Sequence, residues 1–90
     1  MKKWSVYLVR CRDGSLYAGI AIDVAQRIAK HNAGDGAKYT RSRRPVSLAW
    51  VRACASERTA RKREAEIKGW TKEKKEELIR IGQSRGKHLP

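Results

Sequence analysis

The 90-residue sequence has no long apolar segment, only two cysteines and few acidic residues. No stretch approaches the roughly 20 apolar residues that a membrane-spanning helix needs. The first strand-like run is interrupted by Arg10 without a clean small-residue cleavage site, so we expect no secretory leader and a cytoplasmic location. Cys11 and Cys54 both lie in strand-like runs and, in a reducing compartment, are expected to be buried free thiols rather than a disulfide.

The scarcity of acidic residues leaves a strong positive charge. Nine Asp and Glu face 22 Lys and Arg, which gives a formal net charge of +13. Such a balance is typical of nucleic-acid-binding proteins. Binding to an acidic membrane would instead require a basic amphipathic helix with Trp, Phe or Leu on its other face, and no helix pattern here has that face. We therefore expect a nucleic acid as the partner and no membrane.

The spacing of apolar residues predicts the element order ββαβαα. Strands are expected over residues 4–11, 16–20 and 46–54, and helices are expected after the N-cap residues Asp23, Ser56 and Thr71. Residues 35–45 form a basic loop with room for one helical turn. Three short strands cannot close a barrel, so residues 1–82 are expected to form an α+β domain, a small and mostly antiparallel sheet with helices packed on it. Gly82 is expected to end the last helix and to leave residues 83–90 as a flexible polar tail.

One carboxylate interrupts the apolar stripe of the helix after Ser56. At 100° per residue, Ala60, Glu64 and Ile67 share one narrow face, which must be the face toward the sheet. A buried unpaired carboxylate costs several kcal/mol, so such a group is normally ion-paired, hydrogen-bonded or bound to a metal. Lysine and arginine are abundant, so the composition leaves both a salt bridge and a metal site open for Glu64.

The helix after Asp23 shows a related pattern. Arg27 and His31 are four residues apart and share a face, and His31 aligns with the apolar Val24 and Ile28. Spacing alone allows a satisfied structural histidine beside a solvated arginine, or a functional pair. In the functional case, the groups of both helices would meet over one surface of the sheet.

The register of the hairpin Ser5–Ile20 decides whether two tyrosines can share a site. A two-residue loop at Asp13 and Gly14 would put Tyr7 and Tyr17 on opposite faces of the sheet. A three-residue loop that includes Arg12, with Gly14 in the left-handed conformation, would put both on the same face as diagonal neighbours. The residues by themselves leave both registers open.

These residues, in this order, resemble the GIY-YIG nuclease family, and specifically its small stand-alone bacterial members. The motifs appear as "SVY" at 5–7 and "YAG" at 17–19, followed by "DVAQRIAKHNAG", "AKYTRSRRPVSLAWV" and "TARKREAEIKGWTKEKKEELI". The resemblance runs from Trp4 to Ile79. It implies a three-stranded antiparallel sheet flanked by helices and favours the three-residue loop. The chain departs from the family pattern at Ser5, Ala18 and Ile20, the last standing where some relatives carry a lysine.

The resemblance also implies a site and a reaction. The site residues that it implies are Tyr7, Tyr17, Arg27 and Glu64, with His31 in a supporting role. Glu64 is expected to bind one divalent metal ion, usually magnesium, with manganese as the substitute. The implied activity is a metal-dependent DNA endonuclease in which Arg27 contacts the phosphate and Tyr17, or else His31, accepts the proton of the attacking water.

The basic loop is the expected binding surface for DNA. The residues expected to contact nucleic acid are Lys38, Tyr39, Arg41, Arg43 and Arg44, with Tyr39 available for stacking. Phosphate contacts carry little base information, so cutting should be structure-directed or weakly sequence-selective, as in DNA repair or recombination. The alternatives are a solvated loop, a non-catalytic nucleic-acid-binding module of the same fold, and a basic RNA-associated protein.

Overall fold

Seven regular elements follow one another along residues 3–87, the range that this computed structural model describes. They are β1 (Ser5–Arg10), β2 (Leu16–Ala21), α1 (Val24–Ala33), α2 (Lys38–Arg41), β3 (Ser47–Ala53), α3 (Glu57–Lys68) and α4 (Lys72–Lys87). The predicted α+β order is confirmed, and α2 is the helical turn for which the basic loop has room. Within the described range no helix combines the length and apolarity needed to cross a bilayer.

The three strands form one antiparallel sheet in the order β2-β1-β3. Tyr7 pairs with Gly19 and Val9 pairs with Tyr17, so the three-residue loop is confirmed. Gly14 has φ +87, a left-handed conformation that favours glycine, and its N–H donates to the Cys11 carbonyl at 2.9 Å. Tyr7 and Tyr17 therefore lie on the same face of the sheet.

The two faces of the sheet are covered by different helices. Val6 and Leu8 of β1 pack with Ala60 and Ile67 of α3, and Ile79 of α4 joins the same cluster. Tyr7 and Val9, on the other face, pack with Val24 and Ile28 of α1. The expectation that groups from both helices would meet over one surface of the sheet is wrong, because α1 and α3 lie on opposite faces.

The predicted helix starts are confirmed by their capping bonds. The Asp23 carboxylate accepts from the Gln26 N–H at 3.0 Å, Ser56 Oγ accepts from Thr59 at 3.1 Å, and Thr71 Oγ1 accepts from Lys74 at 3.2 Å. Each bond satisfies one of the backbone donors that a helix N-terminus leaves unpaired.

The predicted end of the last helix at Gly82 is wrong. Helix α4 continues to Lys87, because a glycine inside a helix costs only about 1 kcal/mol and no proline follows within that stretch. Gly82 lies against the Trp50 indole, where an added Cβ would be 3.1 Å from the ring. Residues 83–87 of the expected tail are thus helical, and 88–90 lie outside the described residues.

The two cysteines are free and lie on different faces of the sheet. Cys11 is buried in the cluster beneath α1, whereas Cys54 packs half-buried against the cluster of α3 and α4. The sheet itself therefore separates the two thiols, and the expectation that both would be buried is wrong for Cys54, which is only half-buried.

Candidate active site

Tyr7 reaches the site by crossing over the neighbouring strand at Gly19. Tyr7 lies on β1, the central strand, and is only 1% exposed. A Cβ added at Gly19 would lie closer than 3.0 Å to Oη and Cζ of Tyr7, a separation that real Cβ atoms do not show. The missing side chain at residue 19 thus makes the space in which the phenol passes over β2.

The Tyr7 hydroxyl ends in a buried hydrogen-bonded chain. Tyr7 Oη is 2.9 Å from His31 Nε2, and His31 Nδ1 is 2.8 Å from Thr40 Oγ1. The single Thr40 hydroxyl proton is donated to the Ala37 carbonyl at 2.9 Å, so Thr40 must accept from an Nδ1–H. A neutral His31 with its proton on Nδ1 then accepts the Tyr7 O–H at Nε2. The direction of every hydrogen bond in the chain is fixed by this count of protons.

Burial favours the neutral forms of both members of this pair. Burial raises the pKa of the Tyr7 phenol to about 12, although the Arg27 guanidinium acts in the opposite direction. Burial, together with the same guanidinium, lowers the pKa of His31 below its ordinary value. The pair is therefore a neutral phenol that donates to a neutral imidazole near pH 7.

Arg27 and Tyr17 complete the part of the site that faces α1. Arg27 is exposed on α1, and its Nη1 is 3.5 Å from the Ile20 carbonyl of β2. The Tyr17 ring meets the His31 ring edge-on at a centroid distance of 5.6 Å. The phenol and the guanidinium are thus both held beside the buried imidazole.

Glu64 approaches from the opposite layer. Its helix α3 packs on the other face of the sheet, with Ala60 and Ile67 fully buried and the Glu64 side chain 19% exposed. Lys68, one turn later, places Nζ 3.5 Å from Glu64 Oε2 and 5.5 Å from the centroid of the Tyr17 ring. The salt bridge that the composition left open therefore exists, and the carboxylate also faces the site.

Groups from both layers meet in one cleft of about 420 Å³. The cleft is lined by Tyr7, Tyr17, Arg27, His31 and Glu64, together with Trp4, Lys30, Asp35 and Arg61. Because α1 and α3 are on opposite faces, their side chains can meet only around an edge, and the β2 residues in the lining identify that edge as β2. All five side chains of the implied catalytic set thus share one opening.

The residues expected to bind nucleic acid mostly stabilise their own loop. Arg43 Nε is 3.1 Å from the Asp13 carboxylate, and its guanidinium lies 3.9 Å over the Tyr39 ring. Tyr39 also stacks on Tyr17 at 5.8 Å, so contacts within the protein already engage the ring expected to stack on bases. Arg44 donates to two backbone carbonyls, at 2.9 and 3.3 Å. Lys38 and Arg41 are exposed.

Two residues of the site escaped the sequence analysis. Thr40, completely buried, fixes the His31 tautomer but lies in the basic loop that was expected to be a binding surface for DNA. Lys68 follows Glu64 by four residues, and this spacing on a helix would have identified the pair. The contact between Thr40 and His31, in contrast, is a tertiary contact, and no local sequence pattern indicates it.

Comparison with protein-family models matches residues 3–77 to the GIY-YIG catalytic domain. The chain belongs to this family, a nuclease family, which implies a nucleic acid as the substrate. Its relatives are small single-domain bacterial proteins designated UPF0213. A UPF0213 protein of Staphylococcus saprophyticus is 50% identical over 82 residues, which are 91% of this chain and 100% of that protein. A UPF0213 protein of Staphylococcus aureus is 53% identical over 75 residues, or 83% and 92% of the two chains.

Two solved structures share the fold. The solution NMR structure of the UPF0213 protein BH0048 from Bacillus halodurans is 43% identical with a TM-score of 0.56, covering 90% of this chain and 85% of that one. The solution NMR structure of the protein EF2693 from E. faecalis is 36% identical with a TM-score of 0.62, covering 90% and 86%.

Proposed function

We propose that this chain is a magnesium-dependent DNA endonuclease that acts in the cytoplasm, with structure-directed or weakly selective cutting suited to DNA repair or recombination. The observation that carries the proposal is the single cleft in which two phenols, a guanidinium and an imidazole face a carboxylate from the opposite layer. These are the groups that phosphodiester hydrolysis needs: a proton acceptor, a contact for the non-bridging oxygens and a ligand for a divalent cation.

The hydrogen bond between Tyr7 and His31 favours this pair as the general base over Tyr17. In the proposed step, the oxygen of a water attacks phosphorus while its proton passes to Tyr7 Oη. The Tyr7 proton moves at the same time to His31 Nε2, the bond from phosphorus to the leaving oxygen breaks, and that oxygen takes a proton from solvent. The transfer avoids a free phenolate, which a phenol with a pKa of about 12 would disfavour.

Arg27 and Tyr17 would hold the phosphate in line. The exposed guanidinium of Arg27 offers several donors to the two non-bridging oxygens. Tyr17 lies edge-on to His31 and can orient the phosphate or the attacking water. Holding the reacting atoms in line is itself a large part of the rate enhancement in such reactions.

The donor set fits magnesium. Glu64 would hold the cation, and magnesium commonly takes one or two carboxylates and keeps several waters, with manganese as the usual substitute. Within residues 3–87 no cluster of three His, Cys, Asp or Glu side chains exists, so a zinc site of three or four protein ligands is not built there. A bound magnesium ion supplies neutralisation of charge on the phosphate and on the leaving oxygen.

The test of the proposal is cleavage by purified protein with magnesium. Duplex, nicked, branched and single-stranded DNA are incubated with wild type and with Glu64→Gln, which keeps the size of the side chain but loses its charge. The expected result is cutting of at least one substrate by wild type, none by Glu64→Gln, and similar DNA affinity for both. RNA at matched salt serves as the comparison for the RNA-associated alternative.

A second function is favoured by one contact, the ion pair between Glu64 and Lys68 at 3.5 Å. If Lys68 takes the place of the metal, the chain is a nucleic-acid-binding module of the same fold. Wild type that binds all four DNA substrates but leaves each intact with magnesium or manganese would establish this function instead.

A further inference from the structure

A second concave surface of about 670 Å³ continues from the catalytic cleft. Trp4, Arg27 and Lys30 line both, so the two concave surfaces adjoin each other. We call the second part the side groove, defined by Lys3, Trp4, Ile22, Gln26, Arg27 and Lys30. It lies where β1 begins, β2 ends and α1 makes its first turns. The concave surface beside the cleft therefore offers more room than a single phosphate requires.

The walls of the side groove combine cations with apolar surface. Lys3, Arg27 and Lys30 supply positive charge, and Ile22 is 43% exposed. One acidic residue, Asp23, also lines the groove, but its carboxylate is engaged as the N-cap of α1. Cations beside an apolar wall match a nucleotide, which carries an anionic phosphate and a flat base.

Trp4 is held in place as a rigid wall. Its ring is half-buried against the cluster of Val6 and Ile20, and its carbonyl accepts the Cys54 N–H at 2.8 Å. It stands one residue beyond the last β1–β2 pair, Ser5 with Ala21. An aromatic ring that is fixed before the ligand arrives loses little conformational freedom on stacking with a base.

We propose that the side groove binds an unpaired nucleotide next to the phosphate that is cut, with its base on Trp4 and its own phosphate at Lys30 and Lys3. This inference rests on the proposed function, because it takes the scissile phosphate to lie in the neighbouring cleft. In a continuous duplex each base faces its partner strand and cannot turn toward Trp4. The substrate class is therefore a single strand, or a junction where a duplex passes into one.

The ligand can be tested by affinity alone, with the Glu64→Gln protein so that nothing is cut. Fluorescence anisotropy compares a blunt duplex, the same duplex with a single-stranded overhang, and that overhang with an abasic site at each of the first positions after the junction. The overhang is expected to bind about tenfold more tightly than the blunt end, and one abasic position should remove that gain. The same measurement with an RNA overhang shows whether the side groove prefers a DNA or an RNA nucleotide.

A matched pair of variants tests the protein side. Lys30→Ala should lower the slope of log affinity against log salt for the overhang by about one, and Lys62→Ala should leave it unchanged. Both lysines are exposed on helices, and Lys62 lies on the face of α3 opposite Glu64. Replacing Trp4 would disturb the core cluster, so the abasic overhang tests the stacking without changing the protein.

The inference is overturned if blunt and overhanging DNA bind equally, if no abasic position lowers affinity, or if Lys30→Ala behaves like Lys62→Ala. These outcomes are separate from a failure of the proposed function. If wild type cuts DNA but shows no preference for the overhang, the proposed nuclease function stands and the proposed role of the side groove is wrong. If wild type never cuts DNA but prefers the overhang, the proposed nuclease function is wrong and binding of an unpaired nucleotide in the side groove stands.

Discussion

The Tyr7 hydroxyl has a single proton, and its neighbours determine where that proton points. Because the Thr40 hydroxyl proton is committed to the Ala37 carbonyl, Thr40 can only accept from His31 Nδ1–H, and the lone pair at Nε2 is thereby left to accept the Tyr7 O–H. In the proposed step, the capacity of Tyr7 to pass on a proton would therefore depend on Thr40, a fully buried threonine.

Thr40→Val tests this dependence. Valine keeps the shape but removes the acceptor, so the Nδ1–H of His31 is left buried without a partner. We expect a loss of about 2 kcal/mol in the free energy of unfolding and a lower cleavage rate with DNA affinity unchanged. Urea denaturation and single-turnover cleavage measure the two effects. Thr59→Val, an exposed site on α3, is the control, and equal rates for the two variants would contradict the prediction.

Gly19→Ala tests the space that Tyr7 occupies. The new Cβ cannot coexist with the phenol where it now lies, so Tyr7 must move away from His31. We expect cleavage to fall at least tenfold in protein that is still folded, since a misplacement of about 1 Å in an active site can cost a hundredfold. Gly14→Ala is the control: it strains a positive φ at a cost of about 1–2 kcal/mol but has nothing within 4 Å of its Cβ. Full activity in Gly19→Ala would refute the assignment.

The lowered pKa of His31 predicts how stability depends on pH. Burial lowers this pKa in the fold, so above about pH 6.5 the imidazole is neutral in both states and its contribution to stability is complete. As pH falls below that value, the unfolded chain binds the proton first and the contribution is lost. Urea denaturation at pH 7.5, 6.5 and 5.5 should show a decline that is shallower in His31→Gln. Parallel curves would contradict the prediction.

At the residue scale, the sequence predicted the identity of the candidate site residues better than their hydrogen-bond partners and protonation states. Helical periodicity alone brought Glu64 onto the apolar stripe of Ala60 and Ile67, and both neighbours are indeed buried. The neutral state of His31 and its bond to Thr40 could not be predicted, because they depend on a loop that folds back over α1.

At the scale of elements, the hairpin loop decides the site. One residue more or less between β1 and β2 would send Tyr17 to the face of α3, while Tyr7 would stay on the face of α1. The observed pairing of Tyr7 with Gly19 accompanies a three-residue loop that ends at Gly14 in a left-handed conformation. A turn that is distant from the chemistry thus controls which face the two phenols share.

Helix α4 is attached to the sheet by a bidentate ion pair. Arg10 Nη1 and Nη2 lie 2.7 and 2.6 Å from the two carboxylate oxygens of Glu76, and both side chains are about a third exposed, at 37% and 35%. The hydrogen bonds from Arg10 lower the pKa of Glu76 to about 2. The pair therefore stays charged at neutral pH and in moderate acid.

Glu76→Gln is expected to cost about 1 kcal/mol of unfolding free energy at pH 7, after allowance for solvent screening. The carboxylate's pKa is lowered in the fold, so its contribution is complete above about pH 4.5 and is lost as pH falls toward 2. Urea denaturation at pH 7 and pH 2.5 should show the difference narrowing in acid. Glu77→Gln, which removes an exposed ion pair within α4 only, should change stability less than Glu76→Gln does.

Element starts were predictable from sequence, whereas their placement was not. The caps at Asp23, Ser56 and Thr71 are local signals, and each forms the expected bond. The side of the sheet that a helix covers depends on the path of its connecting loops. The apolar stripes of α1 and α3 would look the same in the sequence if both helices covered one face of the sheet. The length of α4 beyond Gly82 was missed because glycine marks both helix ends and close packing.

At the scale of the molecule, the net charge of +13 predicts steep salt dependence of DNA binding. Four phosphate contacts would make the affinity fall about a hundredfold between 50 and 200 mM salt, through release of counterions. Anisotropy titrations with Glu64→Gln measure the slope, and replacing both Lys38 and Arg41 with alanine should lower it by about two. An affinity that does not change with salt would exclude phosphate as the main contact.

The position of β2 at the rim of the sheet limits how this fold can grow. Both helical layers present their reactive groups around that rim, so an extra strand or a second chain hydrogen-bonded to β2 would fill the entrance that a phosphate must use. The sheet can be widened without covering the cleft only beyond β3, where Leu48 and Val51 are each 46% exposed. An added strand or a second chain that pairs with the sheet and leaves the cleft open must therefore use the β3 edge.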